Sequence, residues 1–361
     1  IDIRRAFDQF TTMGFFQKKY RRMAASTTDV LIKAISVLAE SRIGALIVIE
    51  GREPLDSYLD GGFLLNGRIS FPLLHSLFHP HSSGHDGAAI IHDWEFSYIG
   101  QTSEHVRQNV ERGEFGNWEE TGYFINLAIN IGAYEGRGYG ESVGALIENE
   151  GLAIPAEEDL RLRCRELLDS NPEQAAAAAD LLGLVRRFRL RAGWMPVTHR
   201  WKRYSPQAAA FRLGIPFTGH PMIGHDIIYN HPMNHGASLG RAALRDFLSF
   251  ASSISRIEGG VYLSVGSAVM SPMIFEKSLS MAQNLAAQLG QRIRDHYILV
   301  VDLAESAWDW SRGEPPESDP AYYLRYNKSF SRMGGTMRYL RMDNRDFLLH
   351  LHHRLERTGR D

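Results

Sequence analysis

One stretch in the second half of this chain combines residue types that let a ligand approach the end of a strand. Gly259-Gly260-Val261-Tyr262-Leu263-Ser264-Val265 is a mostly apolar run of strand length, and Gly266-Ser267-Ala268 follows it before a helical pattern begins. Small residues there permit close backbone contact, and a helix N-terminus offers amide donors to an anion. A second group is histidine-rich: His220, His225, His231 and His235 lie close together, with Asp226 among them. Imidazoles beside a carboxylate can bind a metal. These lie on a Pro/Gly-broken loop at spacings that match no standard metal site, so they are read as part of a substrate cleft, with no metal expected. A third group, Glu314, Glu317 and Asp319, is an acidic loop that suits either a bound amine or a solvated surface.

The elements that must position these groups follow from periodicity. Helices are predicted over 2–23 (interrupted at Gly14), 29–40, 73–78, 118–133, 158–167, 173–191, 239–257, 273–289 and 346–355. Strands are predicted at 43–50, 88–91, 214–218, 260–265 and 297–303, and a loop at 196–206. Strands alternating with helices in the second half predict an α/β fold with a parallel sheet and helices on both faces.

The bulk numbers exclude little. The chain has 361 residues, 44% of them hydrophobic, which allows one large domain or two ordinary ones. A net charge of -2 gives no general attraction to nucleic acid or an anionic membrane, so neither is expected as a partner. The basic run Arg186-Arg187-Phe188-Arg189-Leu190-Arg191 is read as one solvated helix face. Cys164 is the single cysteine, so no internal disulfide forms, and a reducing, cytoplasmic setting is expected. No apolar run reaches the length of a membrane span.

Several spaced strings from about residue 95 to 355 resemble deoxyhypusine synthase and its bacterial relatives. They are Ser205 to Phe217 with its Ile215-Pro216, Ile223-Gly224-His225-Asp226, the Gly-rich strand end at 259–268, Val300-Val301-Asp302-Leu303, the acidic loop running to Lys328, and Asp343 before Phe347-Leu348-Leu349. Residues 2–16 resemble the N-terminal helix of the same family. The resemblance implies an NAD-binding fold, a tetramer, and transfer of an aminobutyl group from a polyamine through an enzyme imine. Lys328 falls at the imine-forming position and Tyr326 at a nearby tryptophan position. By the same resemblance Gly266, Ser267, Ala268, Asp302 and Asp343 hold NAD, while His225, Asp226, Glu314 and Tyr326 hold the amine. The histidine that follows the Gly-rich strand in that family is replaced by Ser271-Pro272, with Glu276 next as the candidate catalytic carboxylate. The first NAD-binding strand-turn-helix of that family is not evident in residues 25–95.

Residues 27–93 resemble the first half of a diadenylate cyclase domain. The strings that match are Leu31 to Ile35, Arg42 to Glu50, Ile69-Ser70, Leu73-Leu74 with Leu77-Phe78-His79-Pro80, and His85-Asp86-Gly87-Ala88. The resemblance implies that Asp86 helps to activate a ribose hydroxyl and hold a metal, and that the backbone at Gly87 and Ala88 approaches the nucleotide, with ATP and a divalent metal as the cofactors. The Arg-His-Arg motif that grips the phosphates in that family is absent; His199-Arg200 is nearest.

The domain reading is an N-terminal helix at 1–23, a diadenylate-cyclase-like segment at 24–94 and a deoxyhypusine synthase-like domain at 95–361. The leading expectation is an NAD-dependent transferase acting on a small amine, in a homo-oligomer. The alternatives are a diadenylate cyclase making cyclic di-AMP from ATP, or a non-catalytic nucleotide-binding protein.

Overall fold

The computed structural model describes the backbone of residues 86–102, 106–267 and 270–358, and the side chains of 90–102, 108–267 and 270–355. The elements expected at 2–23, 29–40, 43–50 and 73–78 lie outside the described residues. The chain divides into two compact units, 1–82 and 83–361, and the described residues all belong to the second.

Helix α1 (Asp86–Ile99) opens it. A strand is expected at 88–91, and the residues form the first turns of this helix instead. Four consecutive apolar residues do not distinguish a strand from a buried helical turn. What distinguishes them is the continuation: Ile90, Ile91, Trp94 and Ser97 are all buried, at helical spacing. After α2 (Val106–Arg112) comes α3 (Glu119–Glu135), on which the larger core is built. Ile125, Leu127, Ala128, Ile129 and Ile131 are buried all round it, as in a helix enclosed on every side. Two asparagines in that core tie their NH2 groups to backbone carbonyls. Asn126 Nδ2 donates to Gly122 O at 2.7 Å and Ile228 O at 2.8 Å, and Asn130 Nδ2 to Asn126 O at 2.8 Å and Met233 O at 3.2 Å. Gly136 ends α3 at φ 87°, a left-handed cap that favours glycine.

Helix α4 (Tyr139–Asn149), strand β1 (Gly151–Ile154), α5 (Glu157–Leu167), α6 (Pro172–Arg187) and strand β2 (Gly193–Pro196) surround α3. Strands β1 and β2 form an antiparallel pair, with Gly151 opposite Pro196. Helix α6 starts as its sequence dictates: Asn171 Oδ1 accepts from Gln174 N at 3.1 Å and Pro172 takes the first position. Helix α7 (Pro206–Leu213) begins in the same way, with Ser205 Oγ accepting from Ala208 N. The strand expected at 214–218 is irregular loop; Gly214 at φ 65° caps α7 and turns the chain. Helix α8 (Gly236–Ile254) completes the helical part.

The rest is α/β. Strand β3 (Val261–Val265), helix α9 (Met270–Gln288), strand β4 (Tyr297–Asp302), helix α10 (Arg325–Ser331), strand β5 (Thr336–Arg341) and helix α11 (Asn344–Thr358) follow in order. The sheet is β3-β4-β5 and wholly parallel, with Val261 opposite Tyr297 and Tyr297 opposite Thr336. Phe275, Ile298, Val300, Phe330 and Met337 fill a second core beside it. The parallel sheet and its alternating helices agree with the expected class. The helical part before it agrees with the helices expected at 118–133, 158–167, 173–191 and 239–257, and nothing in the arrangement is specific to the deoxyhypusine synthase fold. Among the described residues no helix is long and apolar enough to cross a membrane.

Candidate functional site

Asp86, Gly87 and Ala88 form the first turn of α1. The body of that helix is held from three later parts of the chain. Trp94 is fully buried, stacks on Tyr98 at 4.9 Å between ring centroids and meets the edge of His199 at 5.9 Å. Glu95, also buried, accepts from Thr121 Oγ1 at 2.9 Å. Asp93 Oδ2 accepts from Ser205 Oγ at 2.6 Å and Gln207 Nε2 at 2.9 Å. Burial pushes the Asp93 carboxyl above its ordinary range, against the pull of those hydrogen bonds.

Two cavities share one wall, the loop from Gly214 to His220. The larger, about 480 Å³, opens between α4, α7 and α8. The smaller, about 270 Å³, lies at the carboxyl end of β3. Phe217 and Thr218 line both. Asp246 of α8 fixes the loop. Its Oδ2 accepts from Gly140 N at 2.9 Å, at the start of α4, and from Gly219 N at 2.6 Å. Burial pushes this carboxyl up to about 6 in spite of the amide donors. A Cβ at Gly138 would overlap Asp246 Oδ1, and one at Gly219 would overlap Ile90 and the Tyr139 ring, so both glycines are required by close approach. Position 246 shares the buried stripe of α8 with Leu239 and Ala242, seven and four residues earlier. An acid on that stripe is the signal that sequence reading passed over.

The smaller cavity carries a chain of hydroxyls. Tyr262 OH lies 2.8 Å from Ser271 Oγ, which donates to Ser264 Oγ at 2.9 Å. Ser267 Oγ accepts from Ser271 N at 3.1 Å. On the opposite wall His220 Nε2 lies 3.0 Å from Thr218 Oγ1, and its ring meets Phe250 edge-on. Burial pushes this imidazole down to about 4, so it is neutral at pH 7.

The sequence-selected residues fall in several places. Gly266, at φ 67°, and Ser267 do end β3; Ala268 lies outside the described residues. Asp302 ends β4 and accepts from Leu303 N at 2.5 Å, closing its own turn. Tyr326 and Tyr339 lie near it, and burial followed by the Asp302 charge raises both phenols. Asp343 is exposed and accepts from Arg345 N at 2.9 Å at the start of α11. Lys328 is half-buried with its Nζ 3.6 Å from the centroid of the Tyr322 ring. Glu314 pairs with Arg332 at 2.5 Å, and Lys328 also lowers its carboxyl. Glu276 is exposed and pairs with Lys277 at 2.6 Å. The histidines serve separate purposes. His225 is exposed and Asp226 precedes a 3-10 turn, Ile227–Asn230; His231 Nε2 reaches Glu119 at 3.1 Å; the His235 side chain accepts from Ser238 N at the start of α8. His199 is buried, its Nδ1 2.8 Å from Val197 O, and burial pushes it down to about 4.

Residues 32–116 match the family model described as DisA bacterial checkpoint controller nucleotide-binding. The curated relatives agree with it. Cyclic di-AMP synthase CdaA of Bacillus subtilis (strain 168) is 33% identical over 99 residues, 27% of this chain and 36% of the relative. Cyclic di-AMP synthase CdaS of the same organism is 41% identical over 80 residues, 22% of this chain and 39% of the relative. The diadenylate cyclase of Mycoplasma pneumoniae is 30% identical over 108 residues, 30% of this chain and 54% of the relative. The chain thus spans between about a third and about a half of the relatives' own length. No solved structure matches.

These findings overturn the leading expectation. Neither the family match nor these relatives is a deoxyhypusine synthase; they point to ATP and cyclic di-AMP, so the NAD-dependent transferase acting on a polyamine through a lysine imine is withdrawn, and NAD with it. The physical reason lies in what carried each resemblance. The transferase reading rested on short strings such as Ile-Pro and Phe-Leu-Leu, which turns and helix ends in any α/β protein supply. The cyclase strings run through one continuous segment in fixed order. The match also crosses position 83, where the second unit begins, and extends beyond the expected boundary at 94.

Proposed function

We propose that residues 32–116 bind an adenine nucleotide and that the chain converts ATP, with a divalent metal, into cyclic di-AMP. The match of this segment to diadenylate cyclases carries the reading, and the resemblance of Asp86-Gly87-Ala88 to a motif of that family supports these residues as its site. Asp86 is the group that assists the ribose hydroxyl; its carboxylate is the hard oxygen donor that magnesium or manganese takes. The divalent ion, when bound, supplies positive charge to the phosphates. Gly87 and Ala88 present little side chain, so the nucleotide can lie against their backbone.

The chemistry balances as two displacements. Each ribose 3′-oxygen attacks the α-phosphorus of the other ATP, one new P–O bond forms for each one broken, and two pyrophosphates and two protons leave. Two nucleotides must therefore face one another, and a homo-oligomer with paired segments belongs to the proposal. So does a cytoplasmic setting, which fits the single cysteine.

One observation favours a second reading, a nucleotide-binding segment without turnover. The sequence holds no Arg-His-Arg triplet, and phosphoryl transfer depends chiefly on positioned positive charge. The deciding experiment incubates the full chain with ATP and manganese, resolves the nucleotides chromatographically, and follows thermal stability with ATP in parallel. Cyclic di-AMP supports the first reading. Stabilisation by ATP without product supports the second. With neither effect, both fall.

A further inference from the structure

We propose that the cavity at the carboxyl end of β3 binds a small uncharged polyhydroxylated molecule of monosaccharide size. Its volume of about 270 Å³ sits just under the roughly 300–1,000 Å³ of sites for drug-sized ligands. Its position is the one where open parallel sheets take ligands, outside the end of a strand.

The lining sets the ligand chemistry. Every polar side chain in it is uncharged: Thr218, Ser264, Ser267, Ser271, Tyr262 and a neutral His220. An ion entering this space would lose its hydration and meet no counter-charge. The triphosphate of ATP is excluded on that ground, so the site is separate from the nucleotide reading. At the start of α9, Ser267 Oγ already takes the Ser271 amide. Hydroxyls, by contrast, both donate and accept, and they match a ligand that does the same.

The hydroxyl chain has a direction. Ser271 gives its only hydroxyl proton to Ser264, so the hydrogen bond between Tyr262 and Ser271 is donated by Tyr262. The run ends on Ser264, whose own proton remains to be donated. Ser264 is 2% exposed and faces the cavity from β3, where a ligand oxygen supplies the acceptor. Phe217 and Phe250 give the remaining wall its aromatic faces, against which the C–H face of a sugar ring packs.

The test is titration calorimetry on the full chain with D-ribose, D-glucose and myo-inositol, against sodium phosphate and sodium acetate as charged probes. A saturable heat with at least one neutral probe is expected, and none with the anions. Ser264→Ala should weaken that binding about tenfold, the worth of one hydrogen bond, with the melting temperature kept. Thr218→Val, on the loop rather than the strand, supplies a second variant and should weaken it as well. Saturable binding of phosphate or acetate, no binding of any neutral probe, or binding unchanged in both variants would overturn the proposal.

Discussion

Gln207 Nε2 donates to Asp93 Oδ2 at 2.9 Å and so ties α7 to α1. Asp93 lies inside the segment that matches diadenylate cyclases, and Gln207 lies far beyond it. Helix α1 of the matched segment is therefore cemented into a core made by later residues. Asp93→Ala would leave the Ser205 hydroxyl and the Gln207 backbone N–H without this acceptor, while Gln207 Nε2 keeps Ile90 O. A loss of about 1–3 kcal/mol is expected in urea unfolding. Unchanged stability would show that water replaces the carboxylate.

The same packing predicts the fate of a shortened chain. A chain ending after residue 116 keeps Trp94 but removes His199 and Phe124, which pack on it. In that chain the backbone amides of α1 are expected to exchange freely with deuterated solvent. Protected amides would mean that α1 holds its fold without the later residues.

Asp246 is the second place where one side chain joins distant elements. Asp246→Asn would leave one carbonyl oxygen for the Gly140, Gly219 and Tyr139 amides that the carboxylate now accepts, at a cost of about 1 kcal/mol or more. Gly138→Ala would drive a methyl group into Asp246 Oδ1, at about 1–3 kcal/mol. The two effects should not add, because both break the same contact. Double-mutant unfolding curves check this, and full additivity would count against the shared contact.

The pH dependence follows from groups shifted by burial. His199, at about 4 against an ordinary 6.5, is neutral in the fold, so the unfolded chain takes up its proton first. Its contribution is complete above 6.5 and is lost as pH falls toward 4, about 3 kcal/mol in all. His220 acts in the same sense. Asp246, raised to about 6, acts in the opposite sense, stabilising below 3.8 and losing that contribution as pH rises through 6. Burial also lowers His296, in the same sense as the other imidazoles, and raises Asp93, in the same sense as Asp246, so three imidazoles against two carboxylates give a net loss of stability on acidification from neutral pH. His199→Gln should make that decline markedly shallower in urea midpoints measured across this interval. A wild-type chain that gained stability on acidification would refute the assignment.

For the nucleotide reading, Asp86→Asn keeps the size of the side chain and removes its charge. Cyclic di-AMP formation should fall about a hundredfold or more while the chain still folds. Equal activity would take Asp86 out of the chemistry.

The sequence by itself determined the local units. The capping residues Asn171 and Ser205, each followed by proline, start α6 and α7, and apolar runs of strand length become β3 and β4. It also determined the string at 85–88, because a motif of adjacent residues survives without tertiary information. Three things were decided only by the tertiary structure. Residues 88–91 became helix because Trp94 and Ser97 are buried on the same face. Residues 214–218 stayed irregular, their loop held by Gly219 N on Asp246, a bond between positions 27 residues apart. His220, His231 and His235 parted because each found a different neighbour, and Tyr262, Ser264 and Ser271 came together with Thr218 and His220 from a strand, a helix and a loop. Periodicity records which face of an element is buried; it does not record what that face meets. A site assembled from distant elements is fixed only when their packing is.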